Sequence, residues 1–257
     1  MSPPPRAAAG RRLRVLARAV AWDLRLQLRY QVVTVAVGVT ALYAAVFRWA
    51  PRLDDPWLVL LLFSDPSVLG FLFVGVLVLF ERTSNTLAAV AVTPLTTGQY
   101  LWAKALSLTL IATASGLGMA AAARGAGFDP ARLAAALVLS SLLFVFVGFV
   151  AVVRVRSINE YLLIVPAFLT PLYLPLLGLV GVAESPAFLL VPSHASVLLF
   201  RGALAPRPLW ETVYGVAFLA LSVAVTYRWA HRSFETYVRG PGRPERARRL
   251  PAAGGGR

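Results

Sequence analysis

The chain has no cysteine, two histidines, and Lys104 as its single lysine. Without cysteine there are no disulfides and no thiolate metal sites. The two histidines, His194 and His231, stand far apart in sequence. His194 follows Ser193, but a Ser-His neighbour pair lacks the orienting partner that nucleophilic catalysis needs. It reads as a polar residue at a loop tip. No GxxxxGK[ST] phosphate loop and no HExxH pair is present, which argues against nucleotide binding by that route and against a zinc protease. No metal or cofactor site is expected in this chain, and no catalytic residue. No chain of carboxylates runs through the apolar segments, which disfavours an ion-driven antiporter.

Charge is scarce and one-sided. Only 14% of residues are charged, against about 25% in soluble domains. The formal net charge is +14, carried by arginine. A basic chain can suggest nucleic acid. Here 58% of residues are hydrophobic and mean hydropathy is +0.72, so the arginines read as flanks of membrane spans and no nucleic-acid partner is expected. The apolar runs are continuous rather than alternating, which excludes a β-barrel. The fold class is an all-α polytopic membrane protein with membrane lipid around it.

Residues 1–10 are Pro- and Ala-rich and read as disordered, with no apolar run leading to a cleavage site. A single transmembrane domain is expected over 11–239, and a disordered basic tail over 240–257. Arg11, Arg14, Arg18, Arg25 and Arg29 share one helical face, and Leu13, Leu16, Val20 and Leu24 the opposite one. That pattern predicts an interfacial amphipathic helix with its arginines toward anionic headgroups.

Six spans are expected, at about 31–47, 65–80, 105–123, 133–153, 161–182 and 209–227. Asp65-Pro66 carries a helix-start signal: a carboxylate caps free N–H groups and proline fits the first turn. Span two is therefore started at Asp65. The competing reading is one longer span from Trp57 to Phe80, with Asp65 inside it as an intramembrane functional candidate. Ala114, Gly118 and Ala122 recur every four residues in span three, a packing stripe. Pro166, Pro171 and Pro175 interrupt span five and mark it as a candidate hinge or pathway lining. Residues 183–208 hold two apolar runs too short to cross, which predicts a re-entrant hairpin. Basic residues crowd the side of the two termini, so both termini are expected in the cytoplasm and 183–208 outside.

Between spans two and three lies ERTSNTLAAVAVTPLTTGQYLWAK, Glu81 to Lys104. It reads as two short helices around a proline turn at the membrane surface. Glu81 is expected to pair with a basic group of the N-terminal helix, Thr86 or Ser84 to cap the short helix, and Lys104 to snorkel to the membrane edge.

On these residues the chain resembles the membrane subunit of type-2 ABC transporters, most closely the drug and fluoroquinolone-export permeases. The resemblance rests on Glu81-Arg82, Thr86-Leu87, Thr93-Pro94-Leu95, and Tyr100-Leu101 with Lys104, together with the six-span layout. Asn85 stands where many relatives carry glycine; asparagine tolerates the left-handed conformation such a turn needs. The resemblance implies a bacterial inner-membrane exporter for amphipathic or hydrophobic compounds, drugs among them. It implies a separate ABC ATPase subunit that holds ATP and magnesium. It implies a coupling helix built from Glu81, Arg82, Thr86, Leu87, Val90, Thr93, Pro94, Leu95, Tyr100 and Lys104. It also implies a second permease subunit, identical or a sibling. The alternative is an accessory or scaffold membrane protein that moves nothing itself.

Overall fold

The computed structural model describes residues 5–49, 55–84, 95–179, 181–182 and 185–239. Every regular element among them is helical. Helix α1 (Pro5–Arg29) and α2 (Val32–Trp49) meet at a 68° bend. Gln31, at φ 61°, turns the corner in the left-handed region. Helix α3 (Asp55–Ser67) runs through a π turn (Val68–Leu72) into α4 (Phe73–Thr83). Then come α5 (Thr97–Arg124), α6 (Pro130–Val152), α7 (Ile158–Tyr173) and the short α8 (Leu176–Leu179). A 3-10 turn (Pro186–Leu190) leads to α9 (Pro192–Leu204), and α10 (Leu209–Arg239) closes the chain.

Four stretches are long and apolar enough to cross a membrane: Asp55–Thr83, Thr97–Arg124, Pro130–Val152 and Leu209–Thr236. The bent α1–α2 pair makes a fifth if it counts as one broken span, while α7 is apolar but shorter. Helix α6 lies at the centre, its C-terminal half from Ser140 to Val152 wholly buried. It packs on α3, α5, α9 and α10.

Span two departs from the expectation. The helix starts at Asp55, not Asp65, and residues 55–83 form one continuous stretch. The Asp-Pro start signal loses because Leu58, Val59, Leu62 and Phe63 are buried in the core and hold the preceding turns helical. Pro66 withholds one backbone donor. The hydroxyls of Ser64 and Ser67 donate to the carbonyls of Leu61 and Phe63, at 2.8 and 2.7 Å. These bonds fall one residue either side of Leu62, whose carbonyl is the one that Pro66 deprives of its helical donor.

The π turn is held by a second device. The Tyr161 hydroxyl donates to the Phe71 carbonyl at 2.6 Å, and its ring lies where any Cβ on Gly75 would be, 2.1 Å from that position. Tyr161 is the one buried side chain of α7.

Two ends of the bundle can be told apart by contacts. At one end the Arg124 guanidinium donates to the Asp55 carboxylate, and the Asp129 N–H donates to the Ala203 carbonyl at 2.7 Å. At the other, Arg82 donates to the Val155 carbonyl at 2.6 Å, and the Tyr100 ring stacks on Phe234 at 5.3 Å. Of the packing stripe on α5, Gly118 faces Thr40 of α2, whereas Ala114 and Ala122 are exposed. Leu13 is exposed too, although Leu16, Val20 and Leu24 on its face are partly covered.

A buried ion cluster as candidate functional site

The candidate site assembles where α1, α4 and α5 meet. Helix α5 starts with a reciprocal cap: the Gln99 N–H donates to Thr96 Oγ1 at 3.3 Å, and the Thr96 N–H to Gln99 Oε1 at 3.0 Å. This capping box satisfies two donors that a helix start leaves free. It sets the register of the next two turns, so Tyr100 and Lys104, four residues apart, share a face. Opposite them the last turn of α4 presents Glu81, and α1 presents Asp23 and Gln27.

Lys104 is 2% exposed, and Asp23 and Glu81 are each 7% exposed. Lys104 Nζ donates to Asp23 Oδ1 at 2.9 Å and to Glu81 Oε1 at 2.7 Å. The Tyr100 hydroxyl donates to Glu81 Oε2 at 2.6 Å. Gln27 Nε2 donates to Asp23 Oδ2 and to Ser107 Oγ, both at 2.7 Å, and Ser107 Oγ also donates to Asp23. One ammonium thus joins two carboxylates from two different helices, and neutral donors occupy the remaining carboxylate oxygens. Charge-assisted bonds in a dry setting are strong; removal of the one ammonium leaves two buried carboxylates without compensation, whereas removal of one carboxylate leaves the ammonium paired with the other. Such a cluster holds three elements together while intact and sets two carboxylates against each other when the ammonium leaves.

Two expectations are corrected here. Lys104 does not snorkel; it is the centre of the cluster. Glu81 does not pair with a basic residue of the N-terminal helix, since that helix supplies an acid, Asp23, and Lys104 stands between the two. The described exposed arginines of α1, Arg14, Arg18, Arg25 and Arg29, face away. Nor is the stretch from Glu81 to Lys104 a free-standing surface piece. Glu81 and Arg82 finish α4, and Tyr100 and Lys104 lie well inside α5. Leu95 is partly buried against the core. Thr86, Leu87, Val90, Thr93 and Pro94 lie outside the described residues, and so does the cap expected from Thr86. Ser84 donates back to the Phe80 carbonyl at 2.9 Å.

The proline candidates separate. Pro166 and Pro171 lie within α7 and are exposed, while Pro175, between α7 and α8, is buried and borders a cavity of about 390 Å³ with His194 and Arg201. Of the two short apolar runs in 183–208, the second forms α9, packed on α3, α6 and α10. No group of three or more potential metal-binding side chains occurs among the described residues.

The reading of the sequence missed Asp23, Gln27 and Ser107. A signal existed: Asp23 is the first acid in the chain, and with Val20 and Gln27 it falls on the apolar side of an otherwise basic helix. The cap at Thr96 was also legible, as a T-x-x-Q pattern.

The helices and the cluster define an all-helical, multi-pass membrane protein whose buried ions tie the N-terminal helix to two membrane-spanning segments. The chain belongs to the Fluoroquinolones export permease protein family, whose profile matches residues 14–240. It is therefore placed among the membrane permeases of drug exporters. It is 30% identical over 236 residues to Fluoroquinolones export permease proteins of Mycobacterium tuberculosis, in strain CDC 1551 / Oshkosh and in strain ATCC 25618 / H37Rv. Each match covers 87% of this chain and 96% of the relative.

Proposed function

We propose that the chain is the membrane permease subunit of an ATP-driven exporter for amphipathic or hydrophobic compounds. A separate ABC ATPase binds ATP and magnesium and grips the segment between α4 and α5. A second permease subunit, identical or a sibling, completes the pathway. The observation that carries this reading is Lys104, which ties Asp23 of α1 to Glu81 of α4 at 2.9 and 2.7 Å beside that segment. A push there acts first on α4 and α5, and the cluster passes it to α1 or breaks. Either outcome biases a two-state equilibrium, because the loss of one ion partner is worth about 3–5 kcal/mol.

The alternation of ends supports six crossings in the plasma membrane. Asp23, Glu81, Lys104 and Phe234 sit at one end, Asp55, Arg124 and Ala203 at the other. The basic bias puts the cluster end in the cytoplasm. The native chain has no cysteine, so Ser84→Cys and Ala205→Cys each provide a single clean label. Maleimide that cannot cross the membrane should label the Ala205→Cys variant in intact cells. It should label the Ser84→Cys variant only in inverted vesicles; the reverse pattern would defeat the orientation.

Co-expression with a candidate ATPase, followed by purification through a tag on this chain, tests the coupling. The wild type should retain the ATPase, and Leu87→Asp or Val90→Asp should release it. Glu81→Ala should keep the ATPase bound yet separate ATP hydrolysis from transport. An ATPase that binds wild type and both loop variants alike removes the docking site from 81–104.

A further inference from the structure

Asp65 is the one acid in α3 or α4 that the ion cluster and the helix ends leave unused. It lies about 15 Å along the helix from Asp55, well inside the span. It is 8% exposed, and its Oδ2 has no hydrogen-bond partner. Among the described residues no ion pair includes it. A buried, unpaired carboxyl in an apolar span is costly, and such groups in membrane segments mark ligand or ion sites.

What lies in front of it is a groove. The Asp65 carboxyl has the Ser115 hydroxyl of α5 beside it. Ser115 Oγ in turn is 2.7 Å from Thr40 Oγ1 of α2. Both hydroxyls line a groove of about 580 Å³ between α1, α2 and α5, whose other walls are apolar, with Leu28, Ala36, Leu110 and Ala114 among them. The volume suits a drug-sized molecule, and a mostly apolar wall with a few convergent polar groups is the usual make-up of a ligand site. One carboxyl stands one hydroxyl behind that wall.

We propose that this groove takes a hydrophobic amine cation, with its apolar body along α2 and α5 and its ammonium toward the Ser115–Thr40 hydroxyl pair, and that Asp65 supplies the charge that selects it. Two observations choose this occupant. The groove wall is apolar, so the body must be apolar. The carboxyl behind that wall has no ion pair among the described residues, so the ligand must bring the cation. The hydroxyl pair touches the ligand; Asp65 acts through it as a specificity residue. The inference rests on the permease reading only for its biological use.

The test is equilibrium binding, which needs no ATPase. The full chain goes into nanodiscs of zwitterionic phosphatidylcholine. Two fluorescent probes are titrated: quinacrine, a lipophilic cationic amine, and N-phenyl-1-naphthylamine, uncharged at neutral pH. The wild type should bind both. Asp65→Asn should weaken quinacrine about tenfold, equal to about 1.4 kcal/mol, and leave the uncharged probe unchanged, which also reports that the variant is folded. Asp65→Glu should restore quinacrine binding. Ala114→Trp should fill the groove and weaken both probes. Equal quinacrine affinity in wild type and Asp65→Asn overturns the role of Asp65. Unaltered binding in Ala114→Trp overturns the groove. A wild type that takes up neither probe also overturns the proposal, and a groove covered by a second copy would behave that way. Each of these failures leaves ATPase co-purification untouched, so the permease reading would stand without this inference.

Discussion

Two buried acidic sites stand among the described residues, and they are built in opposite ways. At the cytoplasm-facing end proposed above, Asp23 and Glu81 share Lys104 and receive donors from Tyr100, Gln27 and Ser107. Halfway down the same α3–α4 stretch, Asp65 has a neighbouring hydroxyl and no cation. A paired cluster offsets much of its desolvation cost and is expensive to break. A lone carboxyl costs much to keep and little to remove. Proteins retain the first kind to hold elements together, and the second kind when something else has a use for it.

The sharpest way to break that contrast is to take out the shared cation. Lys104→Ala leaves two carboxylates buried without compensation and should destabilise the protein by about 3–5 kcal/mol. A large fall in the detergent-solubilised melting temperature, or loss of monodisperse protein, would show it. A variant that melts like the wild type would mean that water reaches the cluster. Glu81→Gln removes one charge but keeps the shape, and Asp23 still compensates the ammonium. The expected loss is about 1.5–3 kcal/mol, the scale of a hydrogen bond to a charged group, read by the same melting assay. A double-mutant cycle with Tyr100→Phe should reveal coupling, since the phenol donates to that carboxylate.

Thr96→Ala serves as a control at the same end of α5 that touches no ion. Loss of the capping box should cost about 1 kcal/mol. If it costs as much as Glu81→Gln, the cluster is no more than ordinary helix-end chemistry. The smallest effect belongs to Asp65→Asn. With no ion partner to lose and a desolvation cost removed, its melting temperature should stay equal to that of the wild type or rise. A fall of several degrees would expose an ion partner and collapse the contrast.

How much of this was legible beforehand differs between the two sites. The long apolar stretches around α5, α6 and α10 can be read from hydropathy, because in a membrane the solvent itself imposes the pattern. Glu81, Tyr100 and Lys104 came from spacing and resemblance. Their partner Asp23 did not: its place on the apolar side of a basic helix was a local signal, but nothing local names a partner 81 residues away. Lys104 was misjudged for the same reason: a lone lysine at the edge of an apolar run usually snorkels, and only its two acidic neighbours reverse that. Asp65 was open to two readings. Local chemistry favoured a helix start, and tertiary burial of the turn before it, Leu58 to Phe63, decided otherwise.

The corner at Gln31 gives the cluster its reach. Helices α1 and α2 are joined by two residues at a steep angle, so the pair works like a crank rather than a piston rod. Sliding α1 along its own length, as release of Asp23 would permit, arrives at α2 mainly as a sideways swing. Such a swing would shift Thr40 against Ser115, its 2.7 Å neighbour, so the wall of the apolar groove and the ion cluster share one corner of the chain.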